Sequence, residues 1–166
     1  GLKNGKAAGA DCIQAELLKY GGETIVKKMV ELCAEIWKTK EVPNEWKDGI
    51  ILPIPKKGDL TDCNNWRGVT LLSVPGKVMA SILLGRIKDA VDHRLRQEQA
   101  GFRKGRLCCD QIFALRQIIE KISAVDDVSV LINFVDFKKA FDSVHRPSVW
   151  RILKCYGIPD SITDII

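Results

Sequence analysis

The stretch that most constrains this chain is Val130-Leu-Ile-Asn-Phe-Val135, which runs directly into Asp136. Five of these six residues are apolar, and a short continuous apolar run of that length predicts a buried strand. A carboxylate at the carboxyl end of a buried strand is costly unless a hydrogen-bond donor, a basic side chain or a metal ion meets it. Asp136 is therefore expected to have a partner. On these residues alone two readings stand side by side. Asp136 caps the turn that follows, or it binds a hard cation such as Mg²⁺, which takes few ligands from protein and the rest from phosphates and water. The segment from Phe137 to Asp142 reads as a tight turn or one helical turn, carrying Lys138, Lys139, a second aromatic at Phe141 and a second acid.

Composition narrows the field without deciding it. The 166 residues suffice for one domain with a core. A net charge of +5, from 26 basic and 21 acidic residues, is compatible with a nucleic-acid partner and equally with a solvated basic surface. The six cysteines, at 12, 33, 63, 108, 109 and 155, form no Cys-x-x-Cys pair, and His93 and His145 stand apart from them. That pattern argues against zinc and against a disulfide scaffold, and it suits a reducing intracellular compartment, nuclear or cytoplasmic. No stretch reaches membrane-spanning length, so no membrane partner is expected. The first residue is not Met, and Ser161 to Ile166 stop inside a helix-like pattern, so the chain reads as a piece of something longer.

Helices outnumber strands along the chain. Ile13 to Tyr20 reads as a short helix closed by Gly21-Gly22. Thr24 is placed to cap a second helix, whose apolar stripe is Val26, Met29, Val30, Cys33 and Trp37. Gly49 to Pro55 reads as an extended edge strand, and Trp66 to Leu72 as the strand that returns. The polar loop between them makes a hairpin, with Lys56, Lys57 and Arg67 near its tip or base. Ser73 and Pro75 start a third helix with Met79, Ile82, Leu83, Ile87 and Val91 on one face and a largely basic remainder: Arg86, Lys88, Arg94 and Arg96. Gln99-Ala-Gly-Phe-Arg-Lys-Gly-Arg106 is a glycine-rich basic loop able to cradle phosphates. Asp110 caps a helix whose core face is Ile112, Leu115, Ile118, Ile119 and Ile122. Ala124-Val-Asp126-Asp127 turns into the central run. Pro147 opens a last helix, with Val149, Ile152, Leu153 and Tyr156 facing in and Gly157 closing it. This order is an α+β layout, not regular βαβ winding.

Taken together, four blocks in this order resemble the N-terminal part of a reverse transcriptase from a non-LTR retrotransposon. They are Lys6 to Ile13 with Glu16 to Lys19, Pro53 to Gly58 with Asn65 to Ser73, Gln99 to Arg106 with Asp110 to Ile112, and Phe134 to Asp142. The resemblance implies the fingers and partial palm of a right-hand polymerase. About 1–125 would form the fingers and connecting palm helices, and about 126–166 the start of the palm catalytic core. It implies RNA-directed DNA polymerase chemistry: two ions, Mg²⁺ or Mn²⁺, hold the attacking 3′-oxygen and the leaving pyrophosphate in line. Asp136 is then the catalytic, metal-binding carboxylate, and the backbone carbonyl of Phe137 a second metal contact. Arg67 clamps the dNTP triphosphate with Lys56 or Lys57, and Phe141 lies under the nucleotide sugar, where its ring excludes a 2′-hydroxyl. Arg103, Lys104 and Arg106 face the nucleic acid. The implied partners are an RNA template, a DNA primer, a dNTP and the remainder of the polypeptide.

Two departures from that family qualify the expectation. Gly68 stands where the fingers motif usually has proline. No aromatic-x-Asp-Asp motif follows Asp142, and Ala124-Val-Asp-Asp127 comes before the catalytic run rather than after it. With one of the expected carboxylates present, these 166 residues are expected to be inactive by themselves. The competing expectation is a non-catalytic remnant that binds RNA or a protein. A third, Asp136 as a phospho-acceptor, is disfavoured by the absence of βαβ winding.

Overall fold

The computed structural model describes residues 1–125, 128–137 and 140–166. Asp126, Asp127, Lys138 and Lys139 lie outside the described residues, and with them half of the turn expected before the central run and both lysines expected after it. The chain divides into two compact units, Gly1–Ile87 with Ile158–Ile166, and Lys88–Gly157.

In the first unit, helix α1 (Ala15–Tyr20) gives way to α2 (Gly22–Thr39). Gly22 makes the break between them, at φ +68, where glycine carries no Cβ penalty. Thr24 is not the cap: it lies inside the first turn of α2, which has no side-chain cap. The buried line of α2 also differs from the expected stripe. Ile36 is buried and Met29, Cys33 and Trp37 are half-buried, whereas Val26 and Val30 face solvent. Burial pushes the Cys33 thiol pKa up, as expected for a packing residue. Lys40 closes the helix in the left-handed conformation at φ +64, its N–H donating to the Ile36 carbonyl at 2.8 Å. The Lys40 ammonium also lies 4.6 Å from the Trp37 ring centroid, and the Arg86 guanidinium lies 4.7 Å from the same centroid. A short helix, α3 (Asn44–Lys47), follows.

Strands β1 (Ile50–Pro55) and β2 (Trp66–Leu71) form the expected antiparallel hairpin, with Ile50 opposite Leu71 and Ile54 opposite Arg67. Both are edge strands, which explains why β1 tolerates Pro53 and Pro55. From β2 the chain passes through Ser73 into α4 (Val74–Asp92). Ser73 is 1% exposed and joins three segments. Its hydroxyl donates to Asp11 at 2.6 Å and accepts from the Gly76 N–H at 3.1 Å, while the other Asp11 oxygen accepts from Ile13 at 3.1 Å. Gly9 is required beside this junction, because a Cβ there would lie 2.5 Å from the Ser73 nitrogen. The chain returns at the end: Ile158 and Ile162, flanking the start of and within α7 (Asp160–Thr163), are buried along with Ala15, Ile36, Val74, Met79 and Leu83.

In the second unit, α5 (Cys108–Ser123) and α6 (Arg146–Cys155) have no buried residue. The expected core face of α5 is not enclosed: Ile112, Ile118 and Ile119 are exposed, and Leu115 and Ile122 are half-buried. Asp110 does act at the start of α5, but from within its first turn, accepting the Leu107 N–H at 3.1 Å. In α6, Val149 and Leu153 are half-buried and Ile152 is exposed, and Tyr156, just past the helix end, is half-buried.

The main correction concerns Val130 to Val135. The run is neither a strand nor buried; Leu131, Phe134 and Val135 are 87%, 83% and 77% exposed. A strand exists only by pairing its backbone. The only paired strands among the described residues, β1 and β2, pair with each other. Apolar content gives the run its extended preference, and pairing decides whether it becomes sheet.

Ser73→Ala removes a helix cap and the buried partner of a carboxylate together. It is expected to lower unfolding free energy by about 2–3 kcal/mol, measured by chemical denaturation. A loss below about 0.5 kcal/mol, the level of an ordinary surface change, would contradict the joint role.

Candidate functional site

At the hairpin, the 56–65 loop is held by its own hydrogen bonds. Asp59 accepts from the Thr61 N–H at 2.9 Å, and Asp62 accepts from the Asn64 N–H at 2.9 Å. The Asn65 amide donates to the Asp59 carbonyl at 2.7 Å, and the Trp66 indole to the Leu60 carbonyl at 3.0 Å. The Thr61 backbone N–H keeps the Asp59 carboxyl below the usual carboxylate range. Lys56 continues the ladder through its N–H to the Asn65 carbonyl at 2.7 Å, which puts it diagonally across from Arg67 on one face of the pleat. Lys56, Lys57 and Arg67 are all exposed, and Lys56 Nζ donates to the Asn64 carbonyl at 3.0 Å. The register thus places Lys56 and Arg67 on one face at the base of the loop.

The second unit is organised by Arg103, whose side chain is 5% exposed. Its guanidinium donates to both carboxylate oxygens of Asp92, Nε at 2.7 Å and Nη2 at 3.0 Å. It also donates to the Arg96 carbonyl at 2.7 Å, the Gln99 carbonyl at 3.1 Å and the Asp92 carbonyl at 3.3 Å. A guanidinium has five N–H donors, and five bonds occupy them. Arg103 is therefore a clamp that folds the 93–103 segment onto the end of α4. The same pairing holds the Asp92 carboxyl below its usual range and raises the Arg103 pKa. Lys104 and Arg106 stay exposed, with Arg106 donating to the Gln97 side chain at 2.6 Å. Between the glycine and the clamp, Phe102 sits at φ +61 with its ring fully exposed. It lies 6.4 Å from the ring of Phe141, edge to face at 79°.

Asp136 is exposed, and no described residue donates a hydrogen bond or a charge to it. The burial cost expected of it does not arise, because water solvates it. Phe137 is exposed as well. Among the described residues no three His, Cys, Asp or Glu side chains come together as a metal cluster. No helix among them is long and apolar enough to cross a membrane.

Residues 54–166, from β1 to the end, match the family model described as reverse transcriptase (RNA-dependent DNA polymerase). The chain belongs to the reverse transcriptase family. Its relatives are proteins of non-LTR retrotransposons. It is 32% identical over 145 residues to the putative 115 kDa protein of the type-1 retrotransposable element R1DM of Drosophila melanogaster, covering 86% of this chain and 14% of that protein. It is 26% identical over 156 residues to the uncharacterized 149 kDa protein of transposon TX1 of Xenopus laevis, covering 94% of this chain and 12% of that protein. It is 26% identical over 152 residues to the RNA-directed DNA polymerase from the mobile element jockey of Drosophila melanogaster, covering 87% and 16%. The chain thus spans less than a fifth of the length of these relatives. Mixed helices with one small two-stranded sheet are consistent with part of a reverse transcriptase domain.

Two participants were not singled out from sequence. Asp92 ends an amphipathic helix, where a carboxylate reads as an ordinary surface residue. Phe102 is flanked by Gly101 and Arg103, and an aromatic side chain in a polar, glycine-rich loop was the signal available for it.

The Arg103 clamp predicts a pH-dependent loop in this reverse transcriptase segment. Asp92 has a depressed folded pKa, so its stabilisation is present above the ordinary aspartate value of about 3.9 and is lost as pH falls through the lower folded value. Amide exchange in residues 96–103 should show a loss of protection on acidification. Arg103→Gln should lack that protection at neutral pH already; equal protection in both proteins would count against the clamp.

Proposed function

We propose that this chain is the fingers and the beginning of the palm of an RNA-directed DNA polymerase of a non-LTR retrotransposon. The observation that carries this reading is the family match itself, which runs unbroken from the hairpin through Asp136 to the last residue. In the reaction, a primer 3′-oxygen attacks the α-phosphorus of a dNTP and the bond to the pyrophosphate oxygen breaks. Arg67, with Lys56 or Lys57, neutralises the triphosphate as charge moves onto the leaving group. Lys104 and Arg106 contact the phosphates of the RNA template and DNA primer, on a loop that Arg103 holds in shape. Phe141 forms the floor under the sugar and rejects a 2′-hydroxyl by steric contact.

The family generally uses a divalent metal, and Mg²⁺ or Mn²⁺ is proposed for this polymerase. Asp136 and the Phe137 carbonyl would offer protein oxygens toward it, with phosphates and water completing the shell of one ion, whereas two ions sharing a site carry more positive charge than the one carboxylate of Asp136 balances. The described residues do not fit a complete metal site, so the remaining acids must come from elsewhere in the polymerase. In this reading the unpaired Val130–Val135 run gains its sheet neighbours from the same source. That supports the view that these residues are not sufficient for catalysis.

Primer extension tests this reading. The 166-residue chain should give no template-dependent product. The longer polymerase should extend a primed RNA template with dNTPs, and Asp136→Asn should reduce extension to background. Synthesis by the isolated chain would overturn the incompleteness argument. RNA binding that is steeply salt-dependent, indifferent to Asp136→Asn and unaccompanied by synthesis in the longer protein would mark a binding remnant instead.

A further inference from the structure

We propose that Phe102 is a positioning residue for nucleotide selection: it braces the ring of Phe141 and so sets how strictly the polymerase excludes ribonucleotides. This rests on the reading of Phe141 as the sugar floor. A steric floor works only if it stays in place when a 2′-hydroxyl presses on it. Phe141 is 83% exposed, so folding packs little against it. Its aromatic partner among the described residues is Phe102, 6.4 Å away and edge to face at 79°. That is within the preferred geometry for an aromatic pair, which places the positive edge of one ring against the negative face of the other.

The presentation of Phe102 has no folding rationale of its own. Its ring is 100% exposed, so it contributes nothing to a core. Its backbone is left-handed at φ +61, a conformation that disfavours a bulky side chain. Such a residue persists when its surroundings over-determine it. Here the surroundings are the five hydrogen bonds of the neighbouring Arg103, two of them to Asp92. The chain of support runs from Asp92 to Arg103, through the fixed loop to Phe102, and from its ring to Phe141. Discrimination is thereby tied to a residue 39 positions upstream of the floor it acts on.

The test uses the longer polymerase on a primed RNA template and reads kcat/KM for each rNTP and its matching dNTP. Phe102→Ala should raise the rNTP-to-dNTP ratio about two- to tenfold, the span that the worth of one aromatic pair implies. Phe102→Asn, which tolerates the left-handed backbone, should do the same, so the effect is not one of misfolding; melting temperatures check this. Phe102→Tyr should restore discrimination. Adding Phe102→Ala to Phe141→Ala should change the ratio no further. If Phe141→Ala relaxes the ratio and both Phe102 variants leave it at the wild-type value, the brace is refuted and the floor stands. If Phe141→Ala itself leaves the ratio unchanged in an active polymerase, the floor reading fails and the brace with it.

Discussion

Ser73 is the point on which the first unit hangs. A strand and a helix meet there, and each leaves backbone groups without partners at its end. One buried hydroxyl serves both sides, accepting from Gly76 at the helix start and donating to Asp11 from the N-terminal loop. This junction ties the end of β2 to the start of α4 and to the N-terminal loop, and Arg67 and Lys56 lie toward the opposite end of the hairpin. The rest of the buried side chains, from Ala15 to Ile162, gather around α2 and α4 on the same unit. The basic hairpin is thus carried on the part of the molecule that has a core.

The second unit is held by different physics. Its described residues show polar order without enclosed apolar packing. Arg103 supplies the order, converting a glycine-containing basic loop into a fixed structure by spending every donor it has. A cation in such a loop looks like a phosphate ligand from sequence. Its neighbours Lys104 and Arg106 keep their charge facing solvent, while Arg103 organises the loop that presents them.

The hairpin was legible in the sequence because its signals are local: a polar turn between two extended runs, with prolines at edge positions. The helices were legible for the same reason, through apolar spacing. Their detailed faces were less so. Val26 and Val30 match the α2 pattern and are exposed, because periodicity names a face and not the neighbour that covers it. The same gap accounts for Val130–Val135 and for the open face of α5. Both patterns are those of buried elements, and burial needs a partner element that the described residues do not provide. Apart from Arg103, whose side chain is enclosed, the side chains expected at the site lie on the surface, but their mutual geometry, such as the approach of Phe102 to Phe141 and the capture of Arg103 by Asp92, depends on loop conformation that spacing does not encode.

Under the proposed function, the unpaired run that ends at Asp136 becomes a strand only when the remainder of the polymerase supplies its neighbours. Amide exchange across Val130 to Asp136, compared between this chain and the longer protein, tests it most directly. Rapid exchange in the chain alone and strong protection in the longer protein would support the account. Strong protection in the isolated chain would contradict it, as would rapid exchange in both.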